Sequence, residues 1–395
     1  MSLANGRQYL AIPGPSVMPD RVLQAMHQPA PNIYTGPLVE MTEGIVADLK
    51  AVAGTAHDAA IYIANGHGAW EAALANTMSR GDRILILGTG RFCLGWGEIA
   101  RGLGVETEVL DFGYRAGVDL DRVAEVLRAD TDHTLRAVLA VQVDTASSVK
   151  NDIAGLRRVL DETGHPAMLF SDNIACLGVD EFHMDAWGVD LMVTGSQKGL
   201  MVPPGLGFVF FGPKAAAARE SANCVTPYWD WRPRANPAMF YQYFGGTAPT
   251  HHLFGLRESL DMIKEEGMQA IWHRHATLAR AIWAAFDSWG EGCAIALNIA
   301  DPAARAHAVT TVRMGGDDGT RLRAWLEQVA GITLGIPLGA PEPDMPGIFR
   351  IGHMGHVNAH MVMGVLGSIQ AGMYALGIAH GPGGLEAAAR VIAEG

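Results

Sequence analysis

Residues 189–212, VDLMVTGSQKGLMVPPGLGFVFFG, hold a lysine in an unusual setting. Two apolar runs, residues 190–194 and 206–211, read as short buried strands. The turn between them, Gly195-Ser196-Gln197-Lys198-Gly199, carries Lys198 just past the first strand. A loop lysine ordinarily faces water. Here the apolar flanks draw the loop inward, and a buried lysine is either paired or chemically used. Such an amine is suited to forming a Schiff base with a carbonyl. Residues 167–170 form another apolar run, followed by Ser171-Asp172, so a carboxylate stands 26 residues before the lysine and just past a strand's C-terminal end. In open α/β sheets, ligands gather at that rim. Asp172 and Lys198 are therefore expected side by side. A cofactor with a protonated pyridine nitrogen and an aldehyde needs both groups, and pyridoxal phosphate is such a cofactor. Taken alone, Asp172 reads equally as a helix cap or turn residue.

A second motif offers an anion site. Residues 60–64 read as a strand, followed by Asn65-Gly66-His67-Gly68 and a helical stretch. Free N–H groups and the helix dipole at such a junction favour phosphate, with Gly66, His67 and Gly68 nearest. In isolation a plain strand–helix turn is the commoner case. No second ligand stands at a useful spacing from His67, so no metal is expected. Farther on, Arg350 lies in the apolar strand Gly347-Ile348-Phe349-Arg350-Ile351-Gly352. An unpartnered arginine there is costly, and its fork suits bidentate binding of a carboxylate. A structural salt bridge is the other reading. His353, His356 and His360 have no acid close in sequence and read as ordinary polar positions.

The elements that position these groups alternate. Residues 83–87, 106–110 and 137–141 add strands separated by helical stretches, which argues for a mainly parallel sheet covered on both faces. Amphipathic helices are expected over residues 38–54 and 253–266, and helical segments over 319–329 and 360–394. The 395 residues, 49% hydrophobic and 18% charged, suit one large domain with a smaller one. A net charge of −12 argues against nucleic acid or an anionic membrane as partner. No apolar run is read as reaching transmembrane length, and residues 1–7 open no secretory signal. The four cysteines, Cys93, Cys176, Cys224 and Cys293, fit neither a disulfide framework nor a zinc site, so a reducing cytoplasm is the expected compartment.

The segment SDNIACLGVDEFHMDAWGVDLMVTGSQKGLMVPPGLGFVFF resembles the class V branch of the fold-type-I pyridoxal-phosphate enzymes. IPGPSVMPDRVLQAM near the start and FRIGHMGHVN near the end extend the likeness over nearly the whole chain, which looks like the alanine–glyoxylate and serine–glyoxylate aminotransferases. The resemblance implies an α/β fold with a mainly parallel seven-stranded sheet in a large domain and a smaller α+β C-terminal domain. It divides the chain into an arm (1–20), a large domain (21–268) and a small domain (269–395). It also implies a homodimer with the site at the subunit interface, the arm lying across the partner and toward the active site. By position, Phe92 would stack on the pyridine ring, though a core phenylalanine reads as well. Thr145, in QVDTASSV, would reach the cofactor's phenolic oxygen, with Asp144 in place of the usual glutamate. Gln197 belongs to the lysine signature, and Thr247 would keep a phosphate contact beside Phe244, which replaces a tyrosine. Tyr34 would lie beside the substrate, in a segment lacking the histidine–arginine pair associated with serine–glyoxylate enzymes. Arg350 would hold the α-carboxylate. Arg232 and Arg234 could attract a second substrate carboxylate, but they read as solvated loop charges.

The implied activity is ping-pong transamination, with alanine or serine as donor and glyoxylate or pyruvate as acceptor. Aspartate or a pyridoxamine-like amine is the alternative donor. A cysteine desulfurase or other lyase lacks its nucleophilic cysteine near Arg350. A nicotinamide oxidoreductase built on Gly88-Thr89-Gly90 lacks the third glycine, where Cys93 stands. A binding protein on the same fold is countered by the presence of Asp172, Lys198 and Arg350 together.

Overall fold

The computed structural model describes residues 2–395, the side chain of Glu342 excepted. The strands in chain order are β1 (Tyr9–Ala11), β2 (Asp58–Ala64), β3 (Arg83–Gly88), β4 (Glu106–Asp111), β5 (Leu135–Val141), the two-residue strands β6 (Val143–Asp144) and β7 (Val149–Lys150), β8 (Met168–Asp172), β9 (Leu191–Gly195), β10 (Gly205–Phe211), β11 (Ala296–Leu297), β12 (Val309–Arg313), β13 (Ile332–Leu334) and β14 (Ile348–Gly352). Seven of them form one sheet in the order β2-β10-β9-β8-β5-β3-β4. Pairing is parallel from β9 through β4, and β10 runs antiparallel to both of its neighbours. Six strands therefore point one way, and the expected mainly parallel seven-stranded sheet is the one observed.

The apolar runs form strands because both faces of the sheet are covered. Leu85, Leu87, Leu169, Met192, Phe208 and Phe210 enter one core. Their alternating neighbours, such as Ile84, Ile86, Met168, Phe170 and Val209, enter the other. A strand buried on both faces loses the polar/apolar alternation of a half-exposed one. Each strand boundary lies close to its expected place, but Asp172 is the last residue of β8 rather than beyond it. Its backbone stands opposite Val141 and Val193 in the two flanking strands.

A third core lies in the C-terminal part. There β11, β12 and β14 form a three-stranded antiparallel sheet packed with the helices Met268–Trp289, Ala359–Leu376 and Gly384–Glu394. Ala359–Leu376 has 18 residues and mean hydropathy 1.2, long and apolar enough to cross a membrane. That corrects the reading that no run reaches this length. Its Val362, Val365, Leu366, Ile369 and Met373 are buried in that core with Phe286 and Trp289, so one face of the helix packs inward.

Within the chain, the N-terminal arm has a definite place. β1 pairs in parallel with β13, and the following turn runs to the lysine loop. The Ser16 N–H donates to the Gln197 carbonyl at 2.9 Å, and its hydroxyl to the Lys198 carbonyl at 2.7 Å. The loop expected to carry solvated arginines is also different. Arg234 is 1% exposed, donates to the carbonyls of Ile61, Tyr228 and Tyr243, and lies over the rings of Tyr62 and Tyr228. Arg232 pairs with Asp230. Phe244 is fully buried in the first core.

Candidate active site

Because six strands of the large sheet share one direction, their C-terminal ends open on one rim. β2 ends at Ala64 and delivers Asn65-Gly66-His67, and β3 ends at Gly88 and delivers Phe92. β5 leads into β6 and Thr145, β8 carries Asp172, and β9 delivers Gln197-Lys198. These residues line one cavity of about 190 Å³, together with Trp70, Ile174 and Ala175. Seven of the residues singled out in the sequence are brought together there: Gly66, His67, Phe92, Thr145, Asp172, Gln197 and Lys198.

Asp172 is 3% exposed. Its Oδ1 accepts the Ile174 N–H at 2.7 Å, and its Oδ2 accepts the Trp70 indole N–H at 2.9 Å. Burial pushes its carboxyl up to about 7, against the pull of those two donors. Lys198 is half-buried, and its Nζ donates to the Pro13 carbonyl of the N-terminal arm. Burial, followed by the charge of Arg350, pushes its ammonium down to about 8, with Asp172 opposing. Such an amine sheds its proton more readily than a surface lysine. Gly14 makes the approach possible. Its φ of +101° suits glycine, and a Cβ there would stand 2.5 Å from Lys198 Nζ.

The strand–helix junction forms as a glycine-bearing turn capped by a residue the sequence reading passed over. Asn65 Oδ1 accepts the N–H groups of His67 and Gly68 at 3.1 and 3.3 Å. An arriving anion would compete with this side chain for those donors. Gly66 is packed so closely against Ile174 that a Cβ would overlap it. Gly68 is not among the residues that line the cavity, although its N–H stands at the same helix N-terminus. A Cβ there would stand 2.6 Å from the Ala64 Cβ and 3.3 Å from the Trp229 ring, so its smallness serves helix–strand packing. His67 is exposed as a residue, but its ring packs on Trp70, and the resulting partial desolvation, then the charge of Arg91, pushes its pKa down.

Phe92 is held by Asp144, whose Oδ2 accepts the Phe92 N–H at 2.8 Å and whose Oδ1 accepts the Ala146 N–H at 2.8 Å. Asp144 is fully buried, which raises its pKa. Arg350, 7% exposed, forms no salt bridge among the described residues and stands behind the cavity wall at Thr145. Its Nε donates to the Ile336 carbonyl and its Nη1 to the Thr145 carbonyl, both at 2.7 Å. No hydrogen bond of Nη2 is found among the described residues. Burial pushes the guanidinium pKa down.

Two expected residues stand apart in the single chain. Tyr34 is 82% exposed and Thr247 is exposed, and neither lines the cavity. Asn65 and Trp70 were missed. The cap chemistry of asparagine before a helix could have signalled the first. The second reads as a core aromatic, and its acceptor lies 102 residues away.

The donor set fits pyridoxal phosphate: a carboxylate for the pyridine nitrogen, an amine for the aldehyde, a helix N-terminus for the phosphate and an aromatic side chain for the ring. Among the described residues no group of three His, Cys, Asp or Glu side chains could hold a metal. A larger cavity, about 550 Å³, lies between residues 117–118, 150–153, 180–181 and 301–307. It gathers none of these groups, and the carboxylate oxygens of Asp180 on its wall are sealed from solvent.

Comparison with known proteins agrees with this chemistry. The family model described as aminotransferase class V matches residues 8–336. The chain is 34% identical to a serine–glyoxylate aminotransferase of Methylorubrum extorquens, covering 97% of this chain and 95% of that one. It is also 34% identical to an L-aspartate–glyoxylate aminotransferase of Paracoccus denitrificans, covering 93% and 91%. The crystal structure of pyridoxamine–pyruvate aminotransferase from Mesorhizobium loti superposes with a TM-score of 0.89 at 24% identity, over the whole of both chains. That likeness shows the fold, and the sequence likeness shows the lineage. A strand-end lysine, a strand-end carboxylate and a family match across most of the length place this chain among the class-V aminotransferases, and its reaction is transamination.

Proposed function

We propose that this protein uses pyridoxal phosphate to move the amino group of a small amino acid, serine or alanine, to a 2-oxo acid, glyoxylate or pyruvate, in two half-reactions. The observation that carries the reading is the convergence of Lys198, Asp172, Phe92 and the Gly66–His67 helix N-terminus on one cavity. When bound, the cofactor supplies an aldehyde and an electron-accepting pyridine ring. Lys198 would hold the aldehyde carbon. Once displaced, its Nζ would take the proton from the amino acid's α-carbon and return it on the cofactor side. Asp172 would keep the ring nitrogen protonated. Phe92 would cover the ring face, Thr145 and Gln197 would border it, and the N–H groups at Gly66 and His67 would meet the phosphate. Arg350, held in place by the Thr145 and Ile336 carbonyls, would offer its remaining Nη2 to the substrate carboxylate.

A second donor reading is favoured by one departure. The Tyr34-Thr35-Gly36 segment lacks the residues expected beside a serine donor, and the Paracoccus relative is named for L-aspartate. Aspartate, or a pyridoxamine-like amine, is the alternative. We further propose the division 1–20, 21–268 and 269–395, supported by the separate cores. A homodimer in which a second copy brings Tyr34 and Thr247 to the cavity is part of the same proposal, as is a cytoplasmic setting. The test is an absorption spectrum of the protein loaded with pyridoxal phosphate, with candidate amino acids added one at a time. Conversion to the pyridoxamine form by serine or alanine supports the donor assignment. Conversion by aspartate alone replaces it. A protein that takes up no cofactor overturns the reading.

A further inference from the structure

We propose that Trp70 is a positioning residue for the reaction, its indole N–H fixing the Asp172 carboxylate toward the ring nitrogen of the bound cofactor. The inference rests on the pyridoxal-phosphate reading above. Asp172 Oδ1 is tied to the Ile174 N–H at 2.7 Å and Oδ2 to Trp70 Nε1 at 2.9 Å. A carboxylate held at one oxygen can still swing about its last bond. Held at both, it presents a fixed edge, and each oxygen keeps a lone pair for a further donor.

The indole is itself held. It is 1% exposed and stacks on Trp96 with ring centroids 6.0 Å apart and planes 14° apart. Trp96 stacks in turn on Phe170, two residues before Asp172 in the same strand, and donates its own N–H to the Trp70 carbonyl at 3.3 Å. On its other sides Trp70 meets His67 at 4.7 Å and Phe92 edge-on at 6.2 Å. One side chain thus touches the residues proposed for the phosphate, the ring face and the ring nitrogen. A tryptophan that merely filled the core could give its N–H to any backbone carbonyl, as Trp96 does. Trp70 gives its N–H to the one carboxylate the chemistry needs.

The other titratable groups around Asp172 are Lys198, Asp144, Cys93 and Cys176. Burial raises both thiols, so they are neutral near pH 7, and Lys198 and Asp144 act in opposite directions. A donor hydrogen bond favours the ionised carboxylate, which is the form that pairs with a protonated pyridine nitrogen.

Trp70→Phe keeps an aromatic ring and deletes the N–H. Loss of a charge-assisted hydrogen bond behind a liganding group is expected to weaken cofactor binding about tenfold, lower kcat about tenfold and move the acid limb of kcat/KM up by about one pH unit. In an Asp172→Asn background the same substitution should change cofactor affinity less than about twofold. An unmoved acid limb, or an undiminished effect in that background, overturns the proposal. A measurement that needs no tryptophan variant runs beside it. In the unaltered protein one indole N–H resonance should lie downfield and shift when pyridoxal phosphate binds, and Asp172→Ala, which removes both acceptor oxygens, should abolish both behaviours. Resonances indifferent to Asp172 also overturn the proposal. Failure of the cofactor reading looks different, because the unaltered protein would then take up no pyridoxal phosphate.

Discussion

Asp172→Asn is predicted to stabilise the cofactor-free protein while disabling the enzyme. Burial lifts the carboxyl from its ordinary 3.8 to about 7, a displacement of about 3 pH units. At 1.36 kcal/mol per unit, the ionised group costs the cofactor-free fold about 4 kcal/mol at pH 8. A carboxyl whose pKa is raised on folding binds more protons folded than unfolded between about pH 4 and 7. Its contribution to stability therefore falls as pH rises through that window, and at pH 5 the cost is below about 2 kcal/mol. The amide removes the titration. It carries one acceptor oxygen for two donors, the Trp70 indole and the Ile174 N–H, which takes back about 1–3 kcal/mol at every pH. The variant should thus be about 1–3 kcal/mol more stable than the unaltered protein at pH 8, with the advantage shrinking by about 2–3 kcal/mol at pH 5. Denaturant unfolding of both cofactor-free proteins at the two pH values measures this. Parallel pH profiles would refute the reasoning, because a residue serving as a cap or turn gives no such difference. Turnover should fall steeply, since the ring nitrogen loses its partner.

Three other substitutions probe the remaining parts of the site. Lys198→Ala should abolish turnover while leaving pyridoxal phosphate bound without a covalent link, and a fully active variant would contradict the role of Lys198. Gly14→Ala must adopt a positive φ and place a Cβ 2.5 Å from Lys198 Nζ. It should cost about 1–3 kcal/mol of stability and lower kcat at least tenfold, and an unchanged kcat would mean that the arm does not set the lysine. Arg350→Lys loses the fork that joins the Ile336 and Thr145 carbonyls. It should raise KM for both the amino acid and the 2-oxo acid tenfold or more with the cofactor spectrum intact, and unchanged KM values would remove Arg350 from the carboxylate site.

The groups that could be read from sequence are those whose surroundings are local in the chain. Lys198 and Asp172 were legible because parallel strands buried on both faces leave uninterrupted apolar runs, and a polar residue at the end of such a run stands out. The Gly66–His67 junction was legible for the same reason, with a helix beginning directly after β2. What escaped depends on contacts between distant segments. Trp70 looks like any core aromatic of a helix until β8 brings Asp172 to it. Arg234 sits among prolines and aromatics that suggest an open loop, yet it is enclosed by carbonyls of β2 and of its own loop. Gly68 shares a motif with Gly66, but only the fold separates the glycine that meets the cavity from the one that meets Trp229. The resemblance takes the N-terminal arm across the partner subunit and toward the active site, but does not say which of its groups meets the lysine. In the structure its Pro13 carbonyl receives the Lys198 amine.

The most direct test of the central claim is to load the purified protein with pyridoxal phosphate, reduce it with borohydride and map the modified peptide. A single adduct on Lys198 is expected, prevented when serine or alanine is added before reduction. An adduct on another lysine, or none at all, would contradict that claim.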